Sequence, residues 1–300
     1  MFYYRRKIIL ALLQKFNGEL LSTPLQKYLF LITRLQKDKS FDFIPYKYGC
    51  YSLQANQDLL MLEKMGYVSR EQNKNAISWK LVSTENFTAA IKKEDLSCLN
   101  SVFRTFSEYS THDLIKHTYL NYPFWAINSS ILNDVLSEEE RTRVLQQKKQ
   151  SNEDTLFTIG YEGVSLEMYI NKLIMNDINV LCDVRKNSYS QKWGFSKAIL
   201  QDECEKVGIK FIHIPQLGIE SSERQELNVL SDYKRLFAGY EANTLVENDK
   251  YLLELAGIVS ANHRVALTCF EKEVQMCHRG VVASKLMTLD LLKLFTRKDL

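Results

Sequence analysis

The sequence predicts an α/β protein in two parts: a mainly α winged-helix domain over residues 1–150, then a Rossmann-like parallel-sheet domain over residues 151–300. Three observations carry this expectation. Short apolar, β-branched runs alternate with helical stretches in the second half, which is the pattern of a parallel sheet. The first half holds three stretches of helical periodicity followed by a short hairpin pattern. Between them, the stretch SEEERTRVLQQKKQSNED from Ser137 to Asp154 is almost wholly polar and separates halves of opposite charge. Lacking Gly and Pro, it reads as an exposed helix rather than a loose linker.

In the first half, Arg5–Phe16 is an apolar helix after a basic start. Thr23–Gln36 repeats apolar residues at Leu25, Leu29, Ile32 and Leu35, with Pro24 in its first turn, and Leu53–Met65 makes a third helix that Gly66 ends. Tyr67–Ser69 and Ala76–Val82 are expected to pair as a wing. Three helices and a wing can set a helix into a DNA groove, and the same arrangement serves partner binding. His112 and His117 fall on an ordinary helix and carry no assigned role.

In the second half, residues 156–160 (LFTIG), 180–184 (VLCDV), 211–214 (FIHI) and 265–270 (VALTCF) read as strands buried on both faces. Ser165–Met175 opens on a capping serine and continues with apolar residues at helical spacing. Ser196–Val207 repeats the pattern until Gly208 stops it. Strand and helix in alternation require crossover connections, hence parallel strands. In such a sheet the loops leaving the carboxyl ends of the strands converge on one edge, where ligands bind.

Composition narrows the class. A chain of 300 residues with 45% hydrophobic content and four prolines can build two well-cored domains. No apolar run approaches the roughly 18 residues of a membrane span, and the amino terminus lacks a signal-peptide layout, so a cytoplasmic protein without membrane partners is expected. Six cysteines scattered without CxxC spacing indicate reduced thiols. Residues 1–150 carry 21 Lys and Arg against 15 Asp and Glu, whereas residues 151–300 carry 18 against 21. The basic half is therefore the expected contact for a polyanion.

Two resemblances add to this reading. Leu25-Gln-Lys-Tyr-Leu-Phe30, Phe43-Ile-Pro-Tyr-Lys-Tyr-Gly-Cys-Tyr-Ser52, Leu62-Glu-Lys-Met-Gly66, Leu114–Tyr119 and Tyr122-Pro123 are similar to the winged-helix domain of Panacea and SocA-type antitoxins, over most of residues 1–135. That resemblance implies protein or DNA recognition and offers no catalytic residue. Thr158-Ile-Gly-Tyr-Glu-Gly163, Cys182-Asp-Val-Arg185 with Ser188, Gly194-Phe-Ser-Lys197, His213-Ile-Pro-Gln-Leu-Gly218, Cys269-Phe-Glu-Lys272 and Cys277-His-Arg279 resemble the family called domain of unknown function 488, over nearly all of residues 155–290. This resemblance implies a site built from these motifs, without an assigned reaction.

Asp183, Glu162, Glu271 and His278, at or just past the ends of predicted strands, are the candidate catalytic groups. Arg185, Ser188, Lys197 and Arg279 are candidates to hold phosphate, with Tyr161, Trp193 and Phe195 beside them; an aromatic next to a cation suits a base next to a phosphate. Asp183 and Arg185 lie two apart at a strand end, on one face if the chain stays extended, so a structural salt bridge is the competing reading. Glu162 sits in the Gly-flanked turn Gly160-Tyr-Glu-Gly163, competing with an ordinary exposed turn. Cys277 precedes a helix between basic neighbours, a setting for a thiolate, but the cysteine-to-arginine spacing of phosphatases is absent: Ala283 stands six residues on. The favoured reading packs Cys277 behind His278 and Arg279. Arg224 and Tyr240 are weaker candidates.

Cys182, Cys269, Cys277, His213 and His278 match no usual zinc spacing, so no metal ligand is assigned and no cofactor is required. A hard divalent ion held by Asp183 and Glu162 beside a phosphorylated substrate stays open. Three function classes follow. The leading one is an enzyme that cleaves an N-glycosidic or phosphodiester bond in a nucleotide or nucleic acid, delivered by the winged helix. The others are a DNA-binding regulator sensing a small anion, and a protein-interaction module of toxin–antitoxin or phage-defence systems.

Overall fold

The computed structural model describes residues 2–73, 76–224, 227 and 229–300. The chain divides into two compact units, Met1–Lys148 and Lys149–Leu300. Among the described residues, no helix is long and apolar enough to cross a membrane.

The N-terminal unit is mainly helical. Its elements run α1 (Tyr4–Lys15), β1 (Glu19–Leu21), α2 (Ser22–Leu35), β2 (Ile44–Tyr46), β3 (Gly49–Tyr51), α3 (Leu53–Lys64), β4 (Val68–Asn73), β5 (Ala76–Leu81), α4 (Lys93–Phe106), α5 (Thr111–Asn121), α6 (Leu132–Val135) and α7 (Glu138–Leu145). Antiparallel β1, β5 and β4 form one small sheet, and β2 pairs with β3 as a separate hairpin. Leu25, Leu29 and Ile32 of α2 are fully buried, together with Leu10 and Leu12 of α1, so the periodicity of these helices is that of one shared core. The Ser52 hydroxyl caps α3 by accepting from the Ala55 amide at 3.2 Å. The polar stretch after Ser137 does begin as a helix, opened by a reciprocal capping box between Ser137 and Glu140.

The basic start of α1 turns inward. The buried Asp58 carboxylate of α3 accepts from Arg5 Nε at 2.5 Å and Arg6 Nε at 2.7 Å, so both guanidinium groups lock α1 onto α3. Lys27 is buried as well. It donates to the backbone carbonyls of Tyr48 and Cys50, and burial lowers its pKa. Gly49 makes room for it with a left-handed φ of +87°, since a Cβ there would lie 2.8 Å from Lys27 Nζ and 2.5 Å from the Tyr119 ring. Next to this lysine opens a cavity of about 620 Å³, whose lining includes Pro24, Tyr46, Tyr48, Tyr51, Asn56 and Trp79.

The C-terminal unit is a Rossmann-like α/β layer structure. It comprises β6 (Thr155–Gly160), α8 (Leu166–Met175), β7 (Val180–Asp183), α9 (Lys197–Lys206), β8 (Lys210–His213), α10 (Leu230–Gly239), α11 (Leu245–Glu247), α12 (Asp249–Asn262), β9 (Arg264–Cys269), α13 (His278–Leu286) and β10 (Thr296–Asp299). Among the described residues its five strands are all parallel, in the order β10-β6-β9-β7-β8. Every residue of β6, β7 and β9 is buried, as strands covered by helices on both faces must be. Ser165 caps α8 by accepting from the Met168 amide at 3.1 Å, and Gly208 leaves α9 with φ +83°.

The amino-terminal edge of the sheet is sealed by Arg264, which donates to the carbonyls of Glu153, Asn176 and Asp177 and to the Ser151 hydroxyl. The carboxyl edge is arranged differently, with loops brought together in pairs. Gly160, ending β6, lies so near the chain after β9 that a Cβ would stand 2.0 Å from the Glu271 carbonyl oxygen. Gly218, after β8, meets the chain after β7 in the same way, its Cβ position 2.0 Å from the Lys186 amide nitrogen.

Candidate functional site

The loops after β6 and β9 are zipped side by side. The amides of Tyr161 and Glu162 both donate to the Phe270 carbonyl, at 3.1 and 2.9 Å, and the Glu162 carboxylate accepts from the Lys272 amide at 2.9 Å. Arg279, in the first turn of α13, donates to the carbonyls of Glu271 at 2.5 Å and Lys272 at 2.9 Å. The result is a rigid rim on which the Glu162 side chain is exposed and Glu271 half-buried. Lys192 closes one side by donating to the Tyr161 carbonyl at 2.6 Å; partial burial lowers its pKa, and the Glu162 charge works against that.

Behind the rim, Asp183 and Arg185 form a closed pair. Arg185 Nε meets Asp183 Oδ1 at 2.8 Å and Nη2 meets Oδ2 at 2.6 Å, while the Arg185 amide also donates to Oδ1. Arg185 Nη1 donates to the Tyr161 hydroxyl at 2.6 Å and the Phe195 carbonyl at 3.0 Å. Asp183 is completely buried and Arg185 nearly so. A guanidinium whose Nε and both terminal nitrogens are satisfied ties β7 to the Phe195 loop and has little left to offer a phosphate. Its pKa is raised despite the opposing effect of burial, through its hydrogen bonds and charge attraction to Asp183.

The structure distributes the other candidates by depth. Tyr161 and Phe195 are buried and stacked on each other, centroids 4.3 Å apart, with Tyr169 edge-on to Phe195 at 5.3 Å, so this aromatic pair is core and offers no face to a base. Trp193 and Ser188 are half-buried and Lys197 is exposed at the start of α9; the Lys197 amide donates to the Ser188 carbonyl at 3.0 Å. Arg279 is buried on backbone carbonyls rather than turned to solvent, and its Nε has no hydrogen-bond partner among the described residues. Tyr240 is buried and donates to the Leu217 carbonyl at 2.5 Å. The Arg224 side chain lies outside the described residues.

A second polar group sits at the end of β9. Cys269, Cys277 and His278 are all buried, and one ligand atom from each lies within 4.8 Å of the other two. His278 Nε2 is 2.8 Å from the Val184 carbonyl oxygen. Because a carbonyl only accepts, that nitrogen donates, and the other ring nitrogen, Nδ1, lies 3.7 Å from Cys269 Sγ. Cys269 Sγ also lies 3.3 Å from a Glu271 carboxylate oxygen. Burial, then Cys269 and the Glu271 charge, push the Cys277 thiol well above its ordinary pKa, against the pull of Arg279. A free Cys277 is therefore a protonated thiol and not the thiolate nucleophile that its helix position alone would indicate.

Cys269, Cys277 and His278 share a sheet edge in the sequence pattern but no zinc spacing, and only the fold brings the strand end to the helix start. Lys192 was missed altogether. Its signal was its place between two Gly-bearing loop motifs, which chain spacing does not turn into a contact.

Buried thiols elsewhere in this unit give it a basic limit. Burial pushes the Cys182 thiol from 9.0 up to about 12 and raises Cys204 as well. An unfolded chain sheds these protons at the ordinary thiol pKa whereas the folded unit keeps them. Their contribution to stability is thus full below pH 9.0 and is lost as the pH rises toward about 12. Thermal melts across that window should show the C-terminal transition falling, and less steeply in Cys182→Ala; an equal slope in that variant would contradict the assignment.

This unit is thus a parallel α/β sheet with polar groups gathered at the carboxyl edge of its central strands, the place where such sheets bind ligands. Residues 165–286 match the family described as Domain of unknown function DUF488. No curated protein matches the chain.

Proposed function

We propose that the C-terminal unit is an enzyme that breaks a bond in a nucleotide or nucleic acid, an N-glycosidic bond being the better fit. The observation that carries this reading is the rim itself: two carboxylates on adjacent loops at the carboxyl edge of the sheet, Glu162 exposed and accepting from the Lys272 amide, Glu271 half-buried with its carboxylate 3.3 Å from Cys269 Sγ and its backbone carbonyl held by Arg279. Fixed carboxylates stabilise the positive charge that develops on a sugar as its base departs, and one of them can activate water. Lys192, Lys197 and Lys272 supply the cations nearby that a phosphate-bearing substrate needs. Asp183 and Arg185 position the Phe195 loop instead of reacting. The test is release of free base or cleaved product from nucleotide and nucleic-acid mixtures by the wild-type chain, with loss of that release when Glu162 or Glu271 is replaced by Gln.

For the N-terminal unit, the order α1, β1, α2, α3, β4, β5 with a three-stranded antiparallel sheet supports the winged-helix reading. One observation favours a protein partner over DNA. The helix that would enter a groove, α3, bears Gln54, Asn56, Gln57 and Met61 but a single cation, Lys64, while Arg5 and Arg6 are tied to Asp58. Lys64→Glu should leave the affinity of the full chain for double-stranded DNA within about twofold and its salt slope unchanged. A tenfold loss with a shallower slope would restore the DNA-groove reading.

A further inference from the structure

We infer that Cys269, Cys277 and His278 bind one zinc ion. Two thiols and an imidazole are a donor set suited to zinc, and three protein ligands is the number found where zinc keeps a position open for water or substrate. The dimensions agree. An ion with bonds of about 2.3 Å to sulfur and about 2.0 Å to nitrogen holds its tetrahedral ligands roughly 3.5–3.8 Å apart; Cys269 Sγ and His278 Nδ1 stand 3.7 Å apart, with Cys277 Sγ within 4.8 Å of both. Closing the triad onto an ion therefore requires side-chain adjustments of about an ångström or less.

The surroundings are built for the same purpose. The Val184 carbonyl accepts from His278 Nε2 and leaves Nδ1, on the Cys269 side, as the nitrogen to meet the ion; an outer hydrogen bond of this kind orients metal-binding histidines generally. Binding displaces one proton from each thiol to solvent and leaves two thiolates against a dication, a neutral assembly that a buried pocket tolerates far better than a bare charge. Glu271, already 3.3 Å from Cys269 Sγ, stands beside the ion as the group able to take a proton from zinc-bound water. Zinc occupancy does not depend on which bond the enzyme breaks.

The probe is the metal alone. The full chain, kept reduced and incubated with zinc chloride, should retain one zinc per molecule in native mass spectrometry after excess metal is removed, and the cobalt-substituted chain should show a thiolate-to-cobalt charge-transfer band. Cys277→Ser, which leaves one thiolate, should cut that band to half or less. His278→Gln should weaken zinc binding at least tenfold, each variant being checked by circular dichroism for an intact fold. Wild-type chain that retains no zinc, or forms no thiolate–cobalt band, overturns the inference, as does zinc retention unchanged in both variants. These readouts require no substrate, so an inactive protein that holds zinc would overturn the proposed reaction and leave the metal site standing.

Discussion

Asp183→Asn is expected to destabilise the C-terminal unit by about 3–5 kcal/mol, because it removes the negative partner and leaves a guanidinium buried without charge compensation. Both Asp183 oxygens serve Arg185, and both side chains are shielded from water, so solvent cannot take over the lost interaction. For a unit of this size the corresponding loss in melting temperature is on the order of 10 °C. The double variant Asp183→Leu, Arg185→Met should recover part of it by removing both charges. Recovery stays incomplete, since the Tyr161 hydroxyl and Phe195 carbonyl also lose their donor. Differential scanning calorimetry measures this directly. A melting temperature within a degree or two of wild type would mean that the pair is not the brace described above. Loss of activity in Asp183→Asn alone consequently cannot identify a catalytic group.

Glu162→Gln is the contrasting case. Its carboxylate is exposed and its one described bond is accepted from the Lys272 amide, which a glutamine carbonyl oxygen can accept equally well. Stability should change by no more than about 0.5 kcal/mol. Turnover should nevertheless fall by roughly 10²–10⁴, the usual contribution of a positioned acid–base group. Steady-state rates with product detection, alongside a melt, separate the two effects. Full turnover with an intact fold would remove Glu162 from the chemistry.

Much of the C-terminal fold was legible because its central strands are buried on both faces and so appear as continuous apolar runs. Val180–Asp183 and Arg264–Cys269 fall within a residue or so of their expected limits. The edge strand β10 was not legible: Thr-Arg-Lys-Asp at 296–299 is mostly exposed and polar, as suits an edge that must not recruit another strand. The three-residue strands β1, β2 and β3 are too short for any period to register. Strand order depends on long-range pairing, which no local window contains.

The site followed the same division. Strand-end position located Glu162, Asp183, Glu271 and His278 at one edge, because loops leaving parallel strands share that edge. Depth could not be read. Phe195 and Lys197 are two residues apart, yet the first is fully buried and the second exposed, a difference created by stacking on Tyr161. Nor does chain spacing show that Arg279 turns back onto the Glu271 and Lys272 carbonyls rather than outward.

The most direct measurement is mass spectrometry of nucleotide, RNA and DNA mixtures, modified bases included, after incubation with the wild-type chain, Glu162→Gln or Glu271→Gln, with and without added zinc or magnesium. A new product, formed by the wild-type chain and reduced at least a hundredfold in the two variants, each with its fold verified by a melt, is the expected result. An unchanged mixture with nucleic acid still bound, or equal product from all three proteins, would contradict catalysis at this rim.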